Sequence, residues 1–172
     1  MKKTIALLMV CLGIFCNSIY SQSFQVPENY VLKVAADYSK YEQAVIAAAK
    51  WLKQTPFDEQ EEKRKATAKF LLDWINGSPT VDVELNETIM DFEKKNEGML
   101  IIFMSACARY VLENNYSKDM RAKHRAALRD VIAVYQSGSG IKKDKKIEKL
   151  IKSNEAGKID EWLDENLKIQ PR

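Results

Sequence analysis

The chain has one histidine, His124, and three cysteines, of which only Cys107 lies beyond the first 16 residues. That inventory limits the chemistry. A Ser-His-Asp or Cys-His relay would have to run through His124. On a helical wheel His124 falls on the apolar side of its segment, between Met120 and Leu128, the position of a core-edge histidine. Cys107 lies among apolar residues, the setting of an inert buried thiol. A structural zinc site takes four Cys, His or carboxylate ligands, so no metal is expected. Ser137-Gly138-Ser139-Gly140 lacks the strand before it and the lysine-hydroxyl ending of a phosphate cradle. It reads as a linker, and no cofactor is expected.

Carboxylates are the acid–base route that remains. Glu97 is the candidate, because it stands immediately before the most apolar stretch of the chain, where desolvation could raise its pKa. A helical exported protein could use such a group on cell-envelope glycans. The plainer expectation is that Glu97 stabilises the N-terminus of the helix that follows.

Charge offers a second kind of site. Residues 115–153 hold eleven Lys and Arg against four Asp and Glu. Lys118, Arg121, Arg125 and Arg129 fall on one side of a helix, beside its apolar stripe. They form a candidate binding surface for an anionic envelope component or an acidic protein. Nucleic acid is not expected, because the chain as a whole is close to neutral. Trp51, Trp74 and Trp162 sit at core spacing and are read as core rather than as a carbohydrate platform.

These residues need elements to position them. Ser39-x-x-Glu42 has the form of a capping box, and Tyr41, Ala44, Val45, Ala48, Trp51 and Leu52 continue as one helix face. Thr55-Pro56 would open the next helix, with Phe70, Leu71, Trp74 and Ile75 inward and Asn76-Gly77 as its stop. Thr80–Glu84 alternates as a brief extended piece would. Leu85, Ile89 and Phe92 return to helical spacing. Met99-Leu100-Ile101-Ile102-Phe103-Met104 is apolar on every side and runs into Ser105-Ala106-Cys107-Ala108. A helix that is apolar all round is buried all round, so 97–114 is the predicted central helix. Ser117 would cap a helix reaching about Gln136. Two shorter helices follow, one with Ile147, Leu150 and Ile151 inward, the other with Ile159, Trp162, Leu163 and Leu167.

The expected fold is therefore all-α: a single-domain bundle of six or seven antiparallel helices around one buried central helix. With 172 residues, 46% hydrophobic and 30% charged, the composition is that of an ordinary globular domain and excludes collagen-like, low-complexity and disulfide-dense classes.

The first 21 residues read differently. Lys2-Lys3 precedes an apolar run from Ile5 to Phe15, and polar residues follow to Ser21. This is the pattern of a secretory signal peptide, with cleavage expected after Ser21 and a domain from 22 to 172. Phe15 before Cys16 is too large for a lipidation site, so a lipid anchor is not expected. The run is too short to span a bilayer. The mature protein is expected in the periplasm or outside the cell, with no transmembrane span.

Val83-Glu84-Leu85-Asn86-Glu87, Met99–Met104, Tyr110-Val111-Leu112-Glu113-Asn114, Lys143–Lys149 and Gly157-Lys158-Ile159 together resemble small secreted helical proteins of Bacteroidota with no assigned activity. The resemblance spans much of 80–165 and rests on core and turn patterns. It implies an envelope location and a helical fold, and carries over no functional residues. The function expected is a non-enzymatic interaction module with a basic C-terminal half. The alternatives are a carboxylate enzyme acting on envelope glycans and a carrier of a small apolar ligand between helices.

Overall fold

The computed structural model describes residues 24–167. Residues 1–21, read from the sequence as a signal peptide and containing Cys11 and Cys16, lie outside the described residues. Among the described residues there are seven α-helices and no strand: α1 (Ala35–Gln54), α2 (Glu61–Gly77), α3 (Glu87–Met90), α4 (Met99–Glu113), α5 (Met120–Ser137), α6 (Lys145–Glu155) and α7 (Ile159–Leu167). A 3-10 turn, Asp91–Lys94, extends α3. No helix among them is long and apolar enough to cross a membrane.

The centre is α4. Met99, Ile101, Ile102, Phe103, Met104, Ser105, Ala106, Cys107, Ala108 and Val111 are all buried. Helices α1, α2, α3 and α5 and the 3-10 turn pack around it, while α6 and α7 pack on α5 and on each other. The small residues 105–108 let neighbours approach closely. The helix begins with its apolar run at Met99, two residues later than the predicted 97, because Gly98 takes φ 93 and turns the chain into it.

Three helix starts differ from the local motifs. Ser39 lies inside α1, and its hydroxyl donates to Ala36 O. Asp37 does the capping: its carboxylate accepts the N–H groups of Lys33 (2.9 Å) and Val34 (3.0 Å). Those two bonds hold its pKa below the ordinary value. Thr55-Pro56 does not open α2. The chain passes through a left-handed Gln60 (φ 51) first. The reason is Arg64, whose guanidinium lies 4.5 Å from the centre of the Phe57 ring and donates to Thr55 O at 2.8 Å. It gathers the loop carbonyls that a helix at 55 would have used. Helix α5 starts after Asp119, which accepts Ala122 N–H at 2.9 Å, while Ser117 Oγ accepts Asp119 N–H. Asp at the cap outcompetes the earlier Ser because its carboxylate can reach the first turn.

A buried ionic group ties three helices together. One oxygen of Asp130 accepts from Lys53 Nζ (2.6 Å) and the other from Arg109 Nη2 (2.8 Å). Arg109 also reaches Glu113, which pairs with Lys50 at 2.6 Å. Tyr116 closes the series on Glu42 at 2.8 Å. These contacts run in opposite directions along α1 and α4, so that pair is antiparallel. Asp130 is 4% exposed, and both of its oxygens are taken up by cations. Asp130→Ala should cost about 2–3 kcal/mol in urea unfolding, somewhat less than the roughly 3–5 kcal/mol of a fully buried broken pair because Lys53 is partly solvated. A loss below about 0.5 kcal/mol would show that the three helices do not rely on it.

Candidate functional site

Helix α2 lies along α4 with its Glu61–Arg64 end beside Glu97 and Gly98 and its Ile75 end beside Met104. The two do not close against each other on the outer side. Between them is a cleft of about 480 Å³. Phe57, Ala68 and Leu72 form one wall, and Leu100, Ile101 and Met104 form the floor. Leu72 is 37% exposed although it sits among apolar neighbours. Charged side chains ring the mouth: Glu61, Glu93 and Glu97 with Arg64 and Lys65.

Most of those charges are already committed. Glu93 accepts Gly98 N–H (2.8 Å) and Leu100 N–H (2.9 Å). It fills the role at the start of α4 that the sequence suggests for Glu97. A carboxylate placed there satisfies orphan donors and meets the positive end of the helix dipole. Glu61 pairs with Lys65 at 2.5 Å, which keeps its carboxyl below the usual range and ionised at neutral pH. Arg64 is held by the loop. Glu97 is exposed and makes no hydrogen bond among the described residues; it feels Lys65 across the mouth. It stands in water at the mouth rather than buried against the apolar helix.

The arginine surface on α5 is organised inward toward α7. Arg125 donates to Asp160 through Nε (3.0 Å) and Nη2 (2.6 Å). Arg121 pairs with Asp164 and reaches Asp160 at 3.8 Å. Lys118 donates to Thr80 O at 3.3 Å. Only Arg129 of the four is exposed with no partner among the described residues. Further along, Lys142, Lys143, Lys145, Lys149 and Lys152 are exposed and their side chains make no ion pair, whereas Lys146 pairs with Asp91. Apart from Arg129, the unpaired positive charge of residues 115–153 sits before and on α6.

His124 and Cys107 are both buried. Burial drives the Cys107 thiol far above its ordinary range, so it stays protonated. The His124 ring stacks on Phe103 at 5.6 Å. Its Nδ1 lies 2.8 Å from Met120 O, which assigns the ring proton there. Its Nε2 faces Glu84 O at 3.4 Å. Lys123, also buried, donates to Asp82 O (2.7 Å) and the Glu84 carboxylate (2.6 Å). No group of three or more His, Cys, Asp or Glu side chains comes together to hold a metal among the described residues.

The cleft itself is not a motif. Its one trace in the sequence is Leu72. Helix α2 already has Phe70, Leu71, Trp74 and Ile75 for its inner face, and Leu72 is the apolar residue left over.

Burial lowers the pKa of His124, against weaker opposing pulls from Met120 O and from Glu84. Above about pH 6.5 the ring is neutral in both folded and unfolded chains. Below that, the unfolded chain takes up the proton first and stability falls. Between about pH 7 and pH 5.5 the loss of unfolding free energy should be smaller in His124→Gln than in the parent. Equal slopes in the two proteins would mean that the ring titrates normally.

No protein-family model, curated protein or solved structure matches this chain.

Proposed function

We propose that the protein is an exported, non-enzymatic helical binding module that takes up an apolar group in the cleft between α2 and α4. The observation that supports this most is the apolar lining, in which Leu72 and Leu100 are partly exposed above a floor completed by the buried Ile101 and Met104. A volume near 480 Å³ falls in the range of small-molecule sites, which span roughly 300–1,000 Å³. The state of the mouth carboxylates favours binding over catalysis. Glu93 and Glu61 are tied to structural partners, and Glu97 is solvated. A general acid or base acts from a position set by a partner or by burial, and Glu97, the mouth carboxylate without a hydrogen-bond partner among the described residues, is exposed.

A neutral long-chain alcohol is the simplest probe, because it matches the apolar wall and carries no charge to bind elsewhere. Leu72→Glu should weaken its binding at least about tenfold by titration calorimetry. The melting temperature should stay close to that of the parent, since Leu72 is already partly in water. Glu97→Gln should leave the affinity unchanged. Full retention of binding in Leu72→Glu would overturn this reading.

A second surface supports the anionic-partner reading. The unpaired lysines at 142, 143, 145, 149 and 152 form a positive patch, and positive patches recruit anionic polymers in a salt-dependent way. Replacing Lys145, Lys149 and Lys152 with Glu should lower the salt concentration that elutes the protein from heparin. Replacing Arg121 and Arg125 with Gln should leave that elution close to the parent's, because those side chains are already turned to the aspartates of α7. The opposite pattern would return the contact surface to α5.

A further inference from the structure

Residues 78–86 cross the bundle between α2 and α3 as a strap without regular secondary structure. Its backbone is not random. Thr80 O accepts Lys118 Nζ at 3.3 Å, and Asp82 O accepts Lys123 Nζ at 2.7 Å. Glu84 O faces His124 Nε2 at 3.4 Å. Lys118 and Lys123 hold the strap by donating to it and the His124 ring lies against it, and all three belong to α5 or the residues just before it. Carbonyls at i, i+2 and i+4 pointing one way are the mark of an extended chain.

The side chains and ends agree. Thr80, Asp82 and Glu84 border a hollow of about 190 Å³ against α5. Val81, Val83 and Leu85 border a separate cleft of about 430 Å³ toward Ile75 and Met104, which Thr80 and Asp82 also reach. Ser78 Oγ accepts the N–H groups of Thr80 and Val81, fixing one end. Asn86, extended at φ −134 and ψ 176, fixes the other by donating to Asn166 O at 2.7 Å and accepting Ile89 N–H.

Alternation then turns the N–H and C=O groups of Val83 and Leu85 away from α5. Neither residue's backbone has a hydrogen-bond partner among the described residues. A held, extended chain with one unpaired edge is a template for strand addition. Leu85, 40% exposed beside that edge, has no cover.

We propose that the outer edge of residues 81–85 binds an extended peptide segment of a partner protein, which adds to it as a strand. The occupant follows from the chemistry of the edge. Its free groups are main-chain donors and acceptors on alternate residues, which another extended main chain matches. Its side-chain surroundings are Ile75, Val83, Leu85 and Met104, which suit small apolar side chains at alternate positions. Asp82 and Lys118 balance each other at the cleft, so a peptide of low net charge fits. This surface goes beyond the α2–α4 cleft, with which it shares only Met104.

The probe is a blocked peptide, acetyl-Thr-Val-Thr-Val-Thr-Lys-amide, at concentrations up to about 1 mM. Amide exchange followed by NMR should show Val83 and Leu85 exchanging freely in the protein alone and slowed when the peptide is added. Two further peptides carry backbone N-methyl groups, one on the odd and one on the even residues. Strand addition uses the amides of one set only, so one of the two should lose at least about tenfold in affinity and the other keep most of it. Leu72→Glu should bind the parent peptide normally, which separates this site from the apolar-ligand cleft. Unchanged exchange at Val83 and Leu85, or equal binding of the two methylated peptides, would overturn the proposal.

Discussion

A helix without a polar face has to be covered on every side, and α4 is such a helix. With ten of its fifteen residues buried, it sets the arrangement of everything near it. Each fully buried Leu, Ile, Met or Phe side chain removed from water contributes about 1.5–3 kcal/mol before entropy is counted. The covering is uneven. Helices α1 and α5 pack closely along α4, and the 3-10 turn closes one end. On the α2 side the wall stands off: Leu100 is partly exposed, and the cleft reaches down to the buried Ile101 and Met104. The candidate site is the place where the covering of the central helix is incomplete. The strap at 78–86 closes the next part of the same side, which is why the two clefts meet at Met104.

The charged residues act mostly as internal ties. The basic excess of 115–153 and the acidic balance elsewhere look, along the sequence, like a surface prepared for another molecule. In three dimensions much of that charge is paired within the chain. Arg121 and Arg125 hold the acidic first turns of α7, Lys123 holds Glu84, and Asp130 collects Lys53 and Arg109. Pairs as exposed as Arg121 with Asp164 each contribute little. The buried ones fix which helices are neighbours. The lysines before and on α6 are the exception, and they remain available to solvent.

Much of the fold was legible from pattern alone. The all-helical class, the central helix and the inward faces of α6 and α7 follow from apolar spacing, because burial enforces that spacing directly. The burial of His124 and Cys107 follows for the same reason. Helix starts were less legible. Ser39, Thr55 and Ser117 all have the right chemistry for a cap, yet Asp37, the Arg64-held loop and Asp119 take over. A cap is decided by competition among neighbouring groups, and a distant aromatic ring such as Phe57 can tip it. The site was least legible. Glu97 does reach the cleft, but the α5 arginines turn to α7 through aspartates some forty residues away. A cleft depends on how far two helices stand apart, and no single residue records that distance.

The central claim is that the floor of the α2–α4 cleft receives an apolar ligand. Methyl-labelled methionines report on it directly by NMR, because Met104 lies in the floor while Met99 is fully buried and Met120 lies by the α5 hollow. On titration with a neutral long-chain alcohol, the Met104 methyl resonance should move and saturate while Met120 stays in place. A Met104 resonance that does not move, or a uniform drift of all the methionine methyls, would contradict the account.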